Sequence, residues 1–583
     1  MTQYRNLIEA LEAAPAERPF VTEWVDEDEQ KTVTFAEFRG RARVQAGVLG
    51  ESGVKSGDRV VIIMPQGIAA METFVGAMMQ GGVPAFLAYP NFKVEAEKYR
   101  SGLAGVTANL KAKVVVIDED FPEEMLGHVS LGAGTTIVRS GGNERARDCA
   151  RGDRAEKGSI NRRVDKRADE FDAHEIDSDA LAFIQHSAGT TGLQKGVALT
   201  HSAVLRQVGY LREALKIDGQ TDRIYSWLPL YHDMGLIACF MLPMACHVPV
   251  VMQSPLDWVM HPETMLEIIS DNECTLAWLP NFAFQFVPRR VPKERWPQYD
   301  LSRVRALINC SEPVRASSMD EFHKAFAATG LKKGAMQSSY AMAENVFAVS
   351  QSDIEGRSGP VRIWVDGQEF RSAHRIVPVG QGTAGAMQFA SSGRLLPRHE
   401  VRIVSDSGEP VGGNLVGEIL VKSDCLFEGY YNRADLTEKA IMEGWYHTGD
   451  LGFYLDGELY VVGRKKDLLI VGGENIYPQD IEEIASAHKA VHDGRVIAMG
   501  VYNPELGTEE IVLVAEVEDE KLLERAGEIE KEIREKVVAG LGVVVRTIFL
   551  KPPKWIVKST AGKPARAATR EKLFREHPEW SEG

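Results

Sequence analysis

An α/β chain, with a large first domain and a smaller α+β second domain, is what this sequence predicts, and three observations predict it. Short β-branched runs at residues 59–64, 114–117, 180–185 and 305–309 alternate with amphipathic segments, the pattern of layered structure with largely buried sheets. At 583 residues the chain is longer than one hydrophobic core usually serves. Near Arg464 the pattern changes. A short strand at 468–471 and a turn lead to Pro478, suited to the first position of a helix through Ile481 and Ile484. A strand at 511–517, a charged helix at 521–539, a glycine stop and a strand at 543–550 follow. These make a compact unit of their own. The boundary falls at 463–467, giving a first domain of residues 1–465 and a second of 466–583.

The remaining elements follow in chain order. Tyr4, Leu7, Ile8 and Leu11 recur at helical spacing and predict a short amphipathic helix, with no hydrophobic signal core at this end. Residues 142–179 are charged and poor in large apolar side chains, and read as a solvated loop or surface helix. The apolar stretch 234–252 contains Pro243, His247 and Pro249, so it reads as a buried helix, a turn and a strand rather than a membrane span. The expectation is a cytoplasmic protein without integral membrane association. Cys149, Cys239, Cys246, Cys274, Cys310 and Cys425 lie far apart with no Cys-x-x-Cys, which suggests neither a zinc site nor a disulfide framework. A net charge of −16 argues against nucleic acid as a partner. Residues 551–575 nevertheless hold eight Lys or Arg and one acidic residue, a local basic patch where an acidic protein could dock.

The chemistry begins at His-Ser-Ala-Gly-Thr-Thr-Gly-Leu-Gln-Lys-Gly, residues 186–196, between the strand at 180–185 and a strand at 197–199. A helix then follows, capped by Ser202, with Val204, Val208, Leu211 and Leu215 on one face. Small residues let the backbone approach an anion, Thr190 and Thr191 offer hydroxyls, and Lys195 offers charge. The loop lacks the Gly-x-x-x-x-Gly-Lys-Ser/Thr pattern, so it is not a Walker A loop.

This run resembles the phosphate-binding signature of the adenylate-forming superfamily, which includes acyl- and aryl-CoA synthetases, luciferases, nonribosomal adenylation domains and fatty acyl-AMP ligases. Other motifs of that superfamily follow in order over the next 370 or so residues. The resemblance implies a large multi-sheet α/β domain of the acyl-CoA synthetase/luciferase type and a small, mobile α+β domain. It implies that ATP and Mg²⁺ are used, with Ser187, Gly189, Thr190, Thr191 and Lys195 at the phosphates. Trp-Leu-Pro-Leu-Tyr-His-Asp-Met-Gly-Leu, residues 227–236, matches the start of the acyl pocket, with His232 near the substrate carboxylate; a satisfied histidine beside a buried helix is the plainer alternative. Cys-Ser-Glu-Pro-Val (310–314) and Ser-Ser-Tyr-Ala-Met-Ala-Glu (338–344) resemble the segments that hold adenine. They would bring Ser311, Glu312, Pro313, Ser339, Tyr340 and Ala341 to the base and Glu344 to Mg²⁺. By the same resemblance Asp450 takes the ribose hydroxyls, Arg464 the ribose or phosphate side, Lys466 the hinge, and Lys563 the role of catalytic lysine.

Within the superfamily, Tyr-His-Asp-Met-Gly-Leu (231–236), Pro-Asn-Phe-Ala-Phe (280–284) and Gly-Glu-Asn-Ile-Tyr-Pro-Gln-Asp-Ile-Glu (473–482) resemble the fatty acyl-AMP ligase branch, including lipopeptide- and polyketide-loading ligases. So does an extra segment at about 354–389. The alternation at 361–365, a turn at Asp366–Gly367 and an apolar run within 375–379 predict a β-hairpin there, packed on the large domain. The branch implies a fatty acid substrate and transfer of the acyl group to the phosphopantetheine thiol of a holo acyl carrier protein, the insertion hindering free CoA. An acyl-CoA synthetase is the nearest alternative, and a silent ligand-binding paralogue a further one. Two positions depart from the usual pattern: Gln194 stands where Pro is common, and Ala341-Met342-Ala343 replaces Gly-Leu-Ala.

Overall fold

The computed structural model describes residues 4–26, 29–90, 96–132, 134–140, 176–186, 195–356, 358–471, 474–503, 508–558 and 563–578. Among these, the β-branched runs become strands as expected: Arg59–Ile63, Val114–Asp118, Leu181–His186 and Ala306–Asn309. Arg59–Ile63 and Val114–Asp118 sit side by side in a parallel sheet ordered Val83–Phe86, Arg59–Ile63, Val114–Asp118, Thr136–Ser140. Val60 to Ile63 are buried on both faces, which is why this run is continuously apolar rather than alternating. A nine-stranded sheet runs from Arg394–Leu395 through Ala348–Gln351, Met336–Ala341, Ala306–Asn309 and Leu276–Leu279 to Ile224–Ser226, Val250–Met252, Pro19–Trp24 and Gln30–Thr34. Its central neighbours are parallel, so the strand ends at Asn309 and Ala341 open toward the same edge.

The first helix, Leu7–Glu12, buries Leu7, Ile8 and Leu11, with Tyr4 half-buried against the same core. The 234–252 stretch resolves into a π-helix Met234–Met241, a helical turn Leu242–Cys246, His247 in the left-handed conformation and the strand Val250–Met252. The helix after the phosphate-type loop is His201–Ala214. Its cap is Thr200, which accepts from the Ala203 N–H at 3.2 Å, and not Ser202, which is the second residue of the helix and hydrogen-bonds Asp179 at 3.0 Å. The five cysteines among the described residues are free and buried, as expected of small core residues. The charged stretch 142–179 falls mostly outside the described residues.

An antiparallel sheet of His399–Val404, Gly417–Ser423, Trp445–Leu455 and Ile441–Met442, with Glu458–Arg464 paired to Trp445–Leu455, covers the open edge. The extra segment is not a hairpin. Strands Arg362–Asp366 and Ala386–Ala390 pair antiparallel, but the helix Gly367–Ala373 lies between them, because Asp366 caps a helix by accepting from Gln368 N and Glu369 N rather than forming a two-residue turn. The run at 375–379 does return antiparallel to Arg362–Asp366, at the bridge Val365–Pro378, where Asp366 N donates to Val377 O at 2.9 Å and Val379 N to Trp364 O at 2.8 Å. Val365, Phe370 and Ile376 pack on Leu451, Phe453, Tyr460 and Val462, so the packing on the large domain holds.

Beyond the strand ending at Arg464, a smaller unit has its own core of Ile481, Ile511, Leu513, Ile529, Ile533, Val537 and Val545. Pro478 occupies the first turn of helix Pro478–Ser486, and Gly542 at φ +72° ends helix Ala526–Leu541. The charged segment begins with a 3₁₀ turn, Glu520–Arg525, before that helix. The long strand Val491–Asn503 has no counterpart in the sequence expectation. Its Asp493-Gly494-Arg495 run breaks the alternation, and the pairing with Thr508–Val517 shifts register there.

Candidate active site

Tyr340 and Asp450 lie 110 residues apart and meet because the antiparallel sheet closes over the end of the nine-stranded one. The Tyr340 hydroxyl donates to Asp450 Oδ2 at 2.7 Å. Arg464, the register partner of Asp450 on the adjacent strand, brings its Nε to 3.3 Å from Asp450 Oδ1. Burial pushes the Asp450 carboxyl above the ordinary carboxylate range, against the pull of Arg464 and the Tyr340 hydroxyl. Ser339 is buried and its Oγ donates to Ser350 O at 2.8 Å, so this side chain is committed to the strand pair.

Glu344 sits in the short 3₁₀ turn Ala343–Asn345 immediately after that strand. The Tyr430 hydroxyl donates to its Oε1 at 2.8 Å, and Lys195 Nζ lies 4.4 Å from the centre of the same tyrosine ring. Glu344 and Lys195 therefore flank one aromatic side chain. Ser187, Gly189, Thr190 and Thr191 lie outside the described residues. His186, at the root of that loop, is buried with neither ring nitrogen hydrogen-bonded among the described residues, and burial lowers its pKa to about 4. Among the described residues no group of three or more His, Cys, Asp or Glu could cage a metal. A single accessible carboxylate suits Mg²⁺, which takes most of its ligands from phosphate and water oxygens.

The third group of residues centres on Lys563. Its Nζ donates to Ser311 O at 2.8 Å and lies 3.9 Å from Glu312 Oε1. Ser311 adopts φ +68° just beyond the strand Ala306–Asn309, which turns its carbonyl out to meet the lysine. His232 Nδ1 is 2.5 Å from Asp233 Oδ1, and the same carboxylate caps the π-helix by accepting from Met234 N at 2.9 Å. Although burial works the other way, His232, the Met234 N–H and Lys563 hold Asp233 below its ordinary value. Lys466 sits in the turn Lys465–Asp467; burial lowers its pKa, aided by Arg464.

From this point a cavity of about 1310 Å³ extends between the two domains, with Glu312, Pro313 and Lys563 at one side. Its inner wall is aromatic. Trp227 and Trp258 stack at 3.7 Å and 4°, and Phe282 and Phe286 meet Trp258 edge-on or tilted. The opposite rim comes from the small domain, including Trp555 and Ile556. Arg315 holds the two units together through Asp480 at 2.6 Å, and Arg289 does so through Asp493 at 2.9 Å. Tyr430, Asp233 and Arg315 were not among the residues expected from sequence. Asp233 was legible inside the 227–236 motif, whereas Tyr430 and Arg315 matter only through tertiary contacts.

A buried acid gripped by a tyrosine and an arginine, a lysine delivered from the small domain and an adjoining apolar cavity make up the candidate site. The chain matches the AMP-binding enzyme family model over residues 9–431, and it belongs to that family, the adenylate-forming enzymes. Its relatives include fatty acid–AMP ligases. It is 30% identical over 588 residues to the long-chain-fatty-acid–AMP ligase FadD32 of Mycolicibacterium smegmatis, covering 93% of this chain and 88% of that protein. It is 27% identical over 576 residues to the medium-chain-fatty-acid–[acyl-carrier-protein] ligase JamA of Moorena producens, covering 94% and 91%. A solved structure from a study of fatty acyl-adenylate ligases of E. coli and L. pneumophila superposes with TM-score 0.85 at 27% identity, covering 99% and 98%.

Proposed function

We propose that this enzyme joins a fatty acid to ATP, forming acyl-adenylate and pyrophosphate, and then passes the acyl group to the phosphopantetheine thiol of an acyl carrier protein. The observation that carries the reading is the convergence at Lys563: its ammonium, from the small domain, meets Ser311 O beside Asp233 at the head of the aromatic cavity. A carboxylate oxygen lying there attacks the α-phosphorus while the bond from that phosphorus to the bridging oxygen breaks, and pyrophosphate leaves. Two anions brought to ~4 Å repel by about 4 kcal/mol at an effective dielectric near 20. Lys563, with Thr190, Thr191 and Lys195 on the phosphate side, offsets that repulsion. Glu344 would hold Mg²⁺, whose charge neutralises the triphosphate oxygens. Asp450 and Arg464 take the ribose, Tyr340 faces the base, and His232, its ring held by Asp233, faces the acyl carboxyl. In the second half-reaction the thiol, its proton released to solvent, bonds through sulfur to the acyl carbon while the bond from that carbon to the phosphate oxygen breaks, and AMP departs.

Two observations favour a carrier over free CoA. The insertion packs against Tyr477 at the entrance to the small domain: its Phe370 ring centre lies 5.6 Å from that of Tyr477, and the Tyr477 hydroxyl and His374 Nε2 are 3.1 Å apart and hydrogen-bonded. Lys554, Arg570 and Arg575 of the basic stretch are exposed, a face that suits an acidic carrier; Lys551 and Lys572 of the same stretch are engaged with Glu576 and Trp555 O. Among the described residues no helix is long and apolar enough to cross a membrane, which fits a cytoplasmic site of action. The test offers a labelled fatty acid and ATP with CoA or with holo carrier proteins. Acyl-adenylate accumulating with CoA alone and discharging onto a carrier supports the reading. Efficient acyl-CoA synthesis makes the enzyme a CoA synthetase instead.

A further inference from the structure

Directly after Glu344 the backbone takes a conformation that its sequence resists. Val346 is β-branched and fully buried, yet it sits at φ +59°, ψ −57°. Phe347 N donates to Asn345 O at 2.6 Å, closing a tight three-residue turn around it. A β-branched residue at positive φ is a true outlier and persists only where its surroundings over-determine it.

The over-determining side chain is Asn345, itself fully buried. Its Nδ2 donates to Ala348 O at 2.9 Å, bridging the turn, and contacts His399 Nε2 at 2.8 Å. His399 Nδ1 lies 2.9 Å from Pro397 O, a carbonyl that only accepts, so Nδ1 carries the proton and Nε2 accepts from Asn345. Ser423 Oγ donates to Asn345 Oδ1. His399 and Ser423 are register partners on adjacent strands of the antiparallel sheet, and the strand Gly417–Ser423 pairs in turn with Trp445–Leu455, which carries Asp450. One buried amide thus ties the turn bearing Glu344 to the sheet bearing the proposed ribose acid.

We infer that Asn345 is the positioning residue for Glu344, holding its carboxylate at a set place relative to Asp450 so that metal and ribose are gripped in one frame. This rests on the proposed role of Glu344. Asn345 touches no substrate and acts only through its neighbour, which yields a signature that a merely structural residue lacks.

The test measures the Mg²⁺ midpoint of fatty-acid-dependent pyrophosphate release, together with the melting-temperature shift produced by ATP and Mg²⁺ in the absence of fatty acid. Asn345→Ala is expected to raise the midpoint about tenfold and to shrink that shift, with thioester formation from pre-made acyl-adenylate kept within about twofold. In a Glu344→Gln background the same change should move the midpoint no further, since positioning an absent carboxylate has no effect. A second tenfold rise there overturns the inference, as does an unchanged midpoint in Asn345→Ala itself. If Glu344→Gln alone leaves the midpoint unmoved, it is the assignment of Glu344 to the metal that fails. Should Asn345→Ala not fold, His399 carries the test. His399→Gln retains an acceptor for Asn345 and should keep the midpoint, whereas His399→Phe removes the acceptor and should raise it; equal midpoints in the two overturn the inference.

Discussion

Lys563 reaches Ser311 O across the domain boundary, so it is available to the phosphorus only while the small domain stays in this position. Lys563→Ala is therefore expected to lower pyrophosphate release by at least about a hundredfold, a loss near 3 kcal/mol, and to spare thioester formation from supplied acyl-adenylate. Equal loss in both half-reactions, in protein that melts normally, would remove the assigned role. A second residue-scale consequence lies far from the site. Burial pushes the Glu72 carboxyl from 4.5 up to about 8, against the pull of Arg41 at 3.6 Å. The folded state thus keeps a proton that the unfolded chain releases near 4.5. That contribution is complete below 4.5 and is lost as pH rises toward 8, by roughly 1.4 kcal/mol per pH unit at most. Urea unfolding at pH 6 and pH 8.5 should show a loss of stability that Glu72→Gln largely abolishes. A variant that loses as much as the parent would place the alkaline sensitivity elsewhere.

At the scale of elements, the π-helix Met234–Met241 matters because its cap is Asp233, whose carboxylate also meets His232. Gly235 makes it possible: a Cβ there would lie 2.1 Å from Pro229 O, a backbone atom with nowhere to go. Gly235→Ala is expected to cost at least ~2 kcal/mol in unfolding free energy and to reduce adenylation of every acyl chain tested. A neutral effect in denaturant titration would mean that this helix can slide, which its fully buried faces argue against. The sequence marked the element as buried and helical. Its π winding depended on packing against residues 228–229, which no periodicity reports.

For the whole molecule, the insertion is an element that couples the domains, through Phe370 and His374 at Tyr477 and through Arg371 O, which accepts from Asn475 Nδ2 at 3.1 Å. Val361 O accepts from Ser391 N at 2.8 Å, so residues 362–390 can be excised and the ends joined by a short Gly/Ser bridge. The excised enzyme is expected to adenylate nearly normally and to make measurable acyl-CoA, because the small domain can then turn far enough to admit a free thiol. Excision also bares Phe453, Tyr460 and Tyr477, so the gentler pair His374→Ala and Phe370→Ala should show a smaller change in the same direction. Normal adenylation with CoA still ignored by every variant would locate the block elsewhere. Carrier transfer should change little, since docking supplies orientation and effective concentration.

The sequence by itself determined the α/β class, the order of the motifs and the small domain's helix from Pro478, because these depend on periodicity, proline and glycine chemistry and short-range spacing. It also proposed Tyr340, Glu344, Asp450, Arg464 and Lys563 as site residues, each inside a local pattern. Only the tertiary structure decided that Tyr340 donates to Asp450, that Tyr430 shares Glu344 with Lys195 nearby, and that Asn345 props a strained turn from a sheet more than fifty residues away. It also turned an expected hairpin into two strands around a helix. The reason is physical: a side chain's partners across a fold are set by where layers close and which polar groups burial forces to pair, and that information is spread over the whole chain rather than held in any window of it.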